Sequence, residues 1–316
     1  MSHLFGPVPS RRLGRSLGLD ITPYKTCTFD CIYCQLGRTT NKTVQRREYI
    51  AKDLILDELR DFLSEGCGDV DYITFAGSGE PTLHSGIGEM IDAIKTMTDI
   101  PVAVITNGSL LFREDVRGDL SNADIVLPSL DAATTPVFRA VNQPHESLSV
   151  DQIIEGIRMF REAFEGEFWL EIMFVRGIND GLDEITALSD AISIIDPDRV
   201  QLNTVVRPPC EDVGPVDEDE MVRIQGVFGG NFDVEIIAET RIEVRADILP
   251  LLERRPLTLD QIAGSLEMHR NEAAKYLREL TEQGVIIETV HGDKRYFGAN
   301  PNPSTEPQRL FAALYE

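Results

Sequence analysis

Cys27-Thr28-Phe29-Asp30-Cys31-Ile32-Tyr33-Cys34 holds three of the chain's five cysteines within eight residues, spaced C-x3-C-x2-C. Thiolates are soft ligands that suit zinc and iron–sulfur clusters. A structural zinc ion takes four ligands, so three cysteines leave it one short. A four-iron cubane held by three thiolates keeps one iron open for an outside ligand. The spacing therefore fits a cluster with a vacant iron better than a closed zinc site. A zinc knuckle completed by Cys67, Cys210 or a histidine is the alternative.

Working outward, Leu17–Thr22 alternates and reads as the strand that leads into the cysteines. Helical spacing follows in Ala51–Ser64, then a β-rich run, Val70–Ala76, that ends on Gly77-Ser78-Gly79-Glu80-Pro81. Ile87–Met97 is helical, Pro101–Thr106 a strand closed by the turn pair Asn107-Gly108, and Ala123–Asp131 another strand. Val150–Phe164 and Leu182–Ile195 read as helices, with strands at Phe168–Val175 and Arg199–Val206. Near-continuous apolar strands alternating with helices predict an α/β fold with a parallel sheet. Six such units predict a partial (β/α)6 barrel. In such sheets ligands gather at the carboxyl ends of the strands. Those ends carry the cysteines, Gly77–Glu80, Asn107, Ser129 and Asp131, Glu171 and Arg176, and Asn203 and Arg207. Glu171 and Asn203 stand inside apolar strands, where an unpaired polar group costs a few kcal/mol, so both are expected to face a ligand inside the barrel.

The chain's 42% hydrophobic content suits a globular protein, and no apolar run approaches the roughly 18 residues of a membrane span. The N-terminus lacks the layout of a signal peptide, and the cysteines do not form a secreted disulfide pattern; a reducing cytoplasm is expected. The net charge of −23 is uneven. Residues 1–47 carry eight Lys and Arg against Asp20 and Asp30, a local surplus of +6 beside the cysteines. The acidic remainder disfavours nucleic acid elsewhere.

After residue 245 the pattern changes. A short helix over Asp247–Glu253, a Thr258-capped helix, a third over Asn271–Gln283 ending at Gly284, and a hairpin turning at Gly292-Asp293 resemble a winged helix-turn-helix. The expected division is a barrel over 1–245, a winged-helix domain over 246–300 and a tail over 301–316. Arg270, Lys275, Arg278, Lys294 and Arg295 offer a face for phosphates. Glu267, Glu272, Glu279, Glu282 and Asp293 interleave with them, which leaves protein docking as the rival use.

Gly6–Thr26 upstream of the cysteines and Ile73–Thr82 downstream, taken with C-x3-C-x2-C, resemble the radical S-adenosylmethionine (radical SAM) superfamily, in its wyosine-synthase-like branch, over residues 1–245. The resemblance implies that Cys27, Cys31 and Cys34 ligate a [4Fe–4S] cluster whose open iron chelates SAM. Reductive cleavage of SAM would give a 5′-deoxyadenosyl radical that abstracts hydrogen, with an electron from a donor such as flavodoxin or ferredoxin. Gly77-Ser78-Gly79-Glu80 is similar to the family's Gly-Gly-Glu turn beside the methionine end of SAM, with Glu80 accepting from its ammonium. Tyr33 corresponds to the aromatic residue near adenine, and Asn107, Ser129 and Asp131 lie where ribose and carboxylate are handled. No cysteine precedes Cys27, so the second cluster of the wyosine synthases, and wyosine synthesis with it, is not carried over.

For substrate, the basic segment predicts RNA, with tRNA favoured, docked on Arg11, Arg12, Arg15, Arg46 and Arg47 at the barrel mouth. A protein or peptide substrate is the alternative. A SAM- or redox-sensing nucleic-acid-binding regulator is the alternative of another class.

Overall fold

The computed structural model describes residues 2–10, 12–64, 66, 70–207, 209–230, 232–237, 248–249, 251–252, 255–266, 270–291 and 294–300. Its contacts divide the chain into two compact units, Met1–Ala238 and Glu239–Glu316.

The first unit is built on an eight-stranded sheet. Its strands are β1 (Leu4–Ser10), β2 (Gly14–Leu19), β5 (Tyr72–Phe75), β6 (Val102–Thr106), β7 (Ile125–Pro128), β8 (Glu167–Phe174), β9 (Arg199–Thr204) and β10 (Val234–Ile236), in that spatial order. From β2 to β10 every pairing is parallel; β1 runs antiparallel along the edge. This is the α/β architecture expected, a mostly parallel sheet of the kind from which partial barrels are made. Two-residue strands β3 (Thr26–Cys27) and β4 (Asn41–Lys42) pair beyond the end of β2.

One face of each strand supplies the core. Ile73 and Phe75, Val102 and Val104, Phe168, Leu170, Ile172 and Phe174, and Val200 and Leu202 pack in one cluster with the helices. Alternation sends their neighbours to the other face. There Ala103, Ile125, Leu127 and Trp169 close over Leu13 in a smaller apolar cluster.

The helices follow their apolar stripes. They are α1 (Lys52–Ser64), α2 (Ile87–Met97), α3 (Glu114–Leu120), α4 (Thr135–Val141), α5 (Val150–Ala163), α6 (Leu182–Ile195) and α7 (Glu218–Phe228). In α5 the Ser149 hydroxyl caps the first turn by accepting from Gln152 N at 3.3 Å. Val150, Ile153, Ile157 and Phe160 are buried, and Phe160 stacks on Phe164 at 4.8 Å between ring centres. Each such apolar side chain contributes about 1.5–3 kcal/mol on burial.

Strands β1 and β10 and helices α3, α4 and α7 were not expected from sequence. β1 carries Pro7 and Pro9, and proline is confined to edge strands because it cannot donate to a ladder. That is where β1 lies.

In the second unit, α8 (Leu259–Ser265) starts with a reciprocal capping box between Thr258 and Gln261. Helix α9 (Arg270–Glu282) and the antiparallel pair β11 (Ile286–His291) and β12 (Lys294–Ala299) follow. Ile248, Leu252, Leu257, Ile262, Ala273, Leu277, Leu280 and Ile286 form its core. The turn pair Gly292-Asp293, the tail 301–316, Cys67, Arg11 and part of the helix expected over Asp247–Glu253 lie outside the described residues, as do the side chains of Arg270 and Lys275.

Gly156 tests how tightly α5 seats. A Cβ there would lie 2.3 Å from Phe112 N and 2.6 Å from its Cα, both backbone atoms. Gly156→Ala is expected to cost about 1–3 kcal/mol despite alanine's better helix propensity. Denaturant unfolding measures it; an unchanged or raised midpoint contradicts the close seating.

Candidate active site

The cysteine loop leaves the carboxyl end of β2 and is fastened from several directions. Lys25 takes a left-handed turn, φ 56°, and donates its amide to Ser78 O at 2.8 Å. Thr26 O accepts from Glu80 N at 3.0 Å. Asp30 N and Ile32 N each donate at 3.0 Å, to Asn142 O and Val141 O at the end of α4. Cys27, Cys31 and Cys34 are all half-buried thiols without a disulfide.

Polar groups converge on these sulfurs. The Lys25 ammonium, 4% exposed, lies 3.0 Å from Cys34 Sγ. Asn107 Nδ2 points at Cys27 Sγ and Asn142 Nδ2 at Cys31 Sγ, both at 3.5 Å. Burial, seconded by Glu80, pushes the Cys27 thiol up to about 12. Burial and then Asp131 push Cys31 upward too. Burial alone would lower the Lys25 ammonium, but Cys34 and then the other two sulfurs outweigh it and raise it. Cys27 and Cys31 hold their protons until a soft metal displaces them. The site then offers one cation and two amide donors to the resulting thiolates, so the donor set suits a thiolate-held cluster. The zinc alternative rests in part on Cys67, which lies outside the described residues. A cubane spreads its thiolates over separate irons.

Glu80 is 3% exposed, and its carboxylate is occupied by the protein itself. Oε1 accepts from Thr82 N at 3.0 Å, Thr82 Oγ1 at 2.6 Å and Thr106 Oγ1 at 2.5 Å; Oε2 accepts from Asn107 N at 2.8 Å. Burial nevertheless raises it above the ordinary carboxylate range. The glycines beside it are also required internally. A Cβ on Gly77, at φ 152°, would lie 2.4 Å from the Asp20 carboxylate, and one on Gly79 2.1 Å from Thr26 O. Ser78 is held by Asp20 through both its amide, at 3.0 Å, and its hydroxyl.

Asp131, 3% exposed, accepts from Tyr33 OH at 2.5 Å, Asn142 Nδ2 at 2.6 Å and Met173 N at 2.9 Å. Burial lifts it to about 6 against these three donors. Tyr33 otherwise packs among Ile32, Val137, Val141 and Ile178. Ser129 bridges backbone to Glu171. Glu171 ion-pairs with Arg12 and accepts from Asn203 Nδ2 at 3.2 Å, forming a second polar group on the inner face of the sheet. Cys210 donates to the Cys31 and Ile32 carbonyls, both at 3.2 Å, and Arg207 donates to Gln35 Oε1 at 2.8 Å, so the loop after β9 sits on the cysteine loop.

The described arginines expected at the mouth are divided, with Arg46 and Arg47 beside residues 82–85, the segment that follows Glu80, and the others elsewhere. Arg12 and Arg15 lie at the amino end of β2, beside Leu13 and Asp71, whereas the cysteines follow its carboxyl end. Arg46 is sequestered by Asp115 and Asp119 as well as the Thr82 carbonyl, and Arg47 lies over the Tyr49 ring. A run of positive charge in sequence is here split by a strand about 20 Å long at 3.3 Å per residue. Lys25, Asp20, Thr106, Asn142 and Gln201 went unrecognised; alternation along β2 and β9 marks Asp20 and Gln201, but no local pattern marks Asn142.

A parallel α/β sheet with a three-thiol loop beyond its first parallel strand is the arrangement that the resemblance to cluster-dependent radical enzymes implies. Residues 21–188 match the radical SAM superfamily, and the chain belongs to it. It is 32% identical over 317 residues to a UPF0026 protein of Methanocaldococcus jannaschii, covering 95% of this chain and 97% of that one, and so also belongs to the UPF0026 family. It is 39% identical over 298 residues to a protein of Brachyspira hyodysenteriae named GTPase Obg, but spans only 44% of that protein's length. In fold it resembles a radical SAM methyltransferase from Sphaerobacter thermophilus, with a TM-score of 0.53 at 14% identity, over 70% of this chain and 66% of that one. The chain is thus a radical SAM enzyme, with a [4Fe–4S] cluster and SAM as its cofactors. No helix among the described residues is long and apolar enough to cross a membrane.

Two outcomes test the geometry without cofactor. Glu80→Gln turns a donor toward Asn107 N and should cost the apoprotein about 1–3 kcal/mol in unfolding; unchanged apoprotein stability sinks the staple role. Asp131 binds its proton more tightly folded than unfolded, between its ordinary 3.8 and about 6. The wild-type apoprotein should therefore lose stability relative to Asp131→Asn as pH rises through that window. A difference that stays flat across it contradicts the burial account.

Proposed function

We propose that Cys27, Cys31 and Cys34 hold the cluster and that SAM lies along the turn Gly77–Glu80 toward Ser129, Asp131 and Tyr33. The supporting observation is the convergence of the Lys25 ammonium and the Asn107 and Asn142 amides on the three sulfurs. Bound together, cluster and SAM supply a 5′-deoxyadenosyl radical once a donor of the flavodoxin or ferredoxin kind delivers an electron. Lys25 balances thiolate charge, Asn107 and Asn142 orient Cys27 and Cys31, and Glu80 fixes Asn107 from behind. Asn107, Ser129 and Asp131 present polar edges toward SAM, and Glu171 and Asn203 face the substrate.

The substrate we favour is a compact one held on the inner face of the sheet. That face carries the Arg12–Glu171–Asn203 group. Of the arginines that tRNA docking would draw on, Arg12 and Arg46 are committed to carboxylates and Arg15 lies at the far end of β2, which leaves the exposed Arg47; Arg11 is outside the described residues. The winged-helix assignment of the second unit remains our reading of its two described helices and hairpin, as a docking module for protein or nucleic acid.

Anaerobic reconstitution should load about four irons per chain. Reduced holoenzyme with SAM should release 5′-deoxyadenosine. Cys27→Ala, Cys31→Ala and Cys34→Ala should each lose iron and product; full iron loading in all three would falsify the assignment. Transfer RNA should bind weakly at low salt, and a tight complex with steep salt dependence would return RNA to first place.

A further inference from the structure

Four side chains on neighbouring elements meet on the inner face of the sheet. Glu171 and Gln201 are register partners on β8 and β9, and Asn203 follows two residues along β9 on the same face. Arg12 reaches them from the β1–β2 turn. Gln201 and Asn203 are each 1% exposed. Toward the amino ends of the strands the layer is closed by Trp169, Leu127, Ile125 and Leu13. Toward the carboxyl ends come Met173 and Asp131, and beyond them the cysteine loop.

Two buried atoms in this layer have no hydrogen-bond partner among the described residues: Arg12 Nε, a donor, and Gln201 Oε1, an acceptor. Buried polar groups are nearly always paired, so an orphaned donor and an orphaned acceptor in one layer ask for a partner that supplies both complements, an ordered water or a ligand that displaces it. The charges of the layer are already balanced, since the Arg12 guanidinium pairs with the Glu171 carboxylate. A further charge brought here would have no counter-ion, and an unpaired buried charge is strongly disfavoured. A group that accepts with one atom, donates with its neighbour and carries no net charge meets all three conditions. An amide does so: its carbonyl accepts from Arg12 Nε and its N–H donates to Gln201 Oε1.

Resting on the preceding assignment of this face to substrate, we propose that Arg12, Glu171, Gln201 and Asn203 recognise an uncharged amide group, carboxamide or lactam, on a small free molecule. The near-complete burial of Gln201 and Asn203 favours a slender free ligand over a segment of folded polymer. Arg12 and Gln201 make the specific contacts; Glu171 and Asn203 hold Arg12 in place and exclude charge.

The test uses reconstituted holoenzyme with SAM and three isosteric probes: nicotinamide, nicotinate and 3-(aminomethyl)pyridine. Calorimetric titration should give nicotinamide a dissociation constant at least about tenfold lower than either charged probe. Gln201→Met should weaken nicotinamide by a similar factor without lowering the thermal midpoint, because it removes an unpaired buried acceptor. Gln201→Leu is the second variant. If neither variant folds, Gln201 is a structural member with its acceptor satisfied, and the proposal fails. It fails equally if nicotinate binds as well as nicotinamide, if nicotinamide does not bind, or if an asparagine-containing tetrapeptide binds more tightly. Wild-type holoenzyme that cleaves no SAM undoes the preceding subsection's reading. Holoenzyme that cleaves SAM yet does not prefer nicotinamide undoes this one alone.

Discussion

A carboxylate buried with four donors around it holds the catalytic end of this protein together. Glu80 sits where β5 gives way to its turn, and its oxygens collect Thr82 from the following 3-10 turn and Thr106 and Asn107 from the end of β6. Leaving such a charge unpaired in the interior would cost several kcal/mol, so the four donors are a condition of its being there. Once they are in place, the Asn107 amide is aimed at Cys27 and the Thr28 hydroxyl, while the Glu80 backbone N–H holds Thr26. The ends of three neighbouring strands are thereby tied to the loop that carries the thiols. Asp20, one strand over, repeats the device with Ser78.

These ties explain why glycine is needed at the turn. The space a side chain would take at Gly77 and Gly79 is filled by Asp20, Thr26 and Thr22. At Gly79 the close approach is between backbone and backbone, and at Gly77 between backbone and the Asp20 side chain. On the proposed assignment of this turn to SAM, the cofactor would meet a segment with little freedom left, which is how a reactive atom is kept in one position.

What could be read from sequence follows the range of the interactions. Apolar runs and helical stripes are local, and helices α2 and α6 fall on the residues their periodicity marks, Ile87–Met97 and Leu182–Ile195. Helix α3 has only Val116 and Leu120 buried across seven residues, too little for a stripe. That the three cysteines lie together was legible because they share one loop. Asn142 was not, since it meets Cys31 across 111 residues of chain. The charge surplus of residues 1–47 does not gather on one surface, for a related reason. Composition counts charges without recording which end of a strand each occupies or which carboxylate neutralises it. Arg12 meets Glu171, 159 positions away, and Arg46 meets Asp115 and Asp119.

The two polar groups on this sheet differ in kind, and the difference bears on how the enzyme divides its work. Around the cysteines the protein sets two amide donors and the Lys25 ammonium against a burial that keeps Cys27 and Cys31 protonated, so these donors meet thiolates only once a soft metal has displaced the protons. Around Glu171 the charges cancel before anything binds, and what is left over is one donor and one acceptor. The first environment is electrically unfinished without its cluster; the second is finished in charge and unfinished in hydrogen bonding. A net-neutral chamber beside a radical source also serves selectivity. It gives no purchase to stray ions, and it ties recognition to the shape of a neutral polar edge, where one missing hydrogen bond leaves a buried group unpaired.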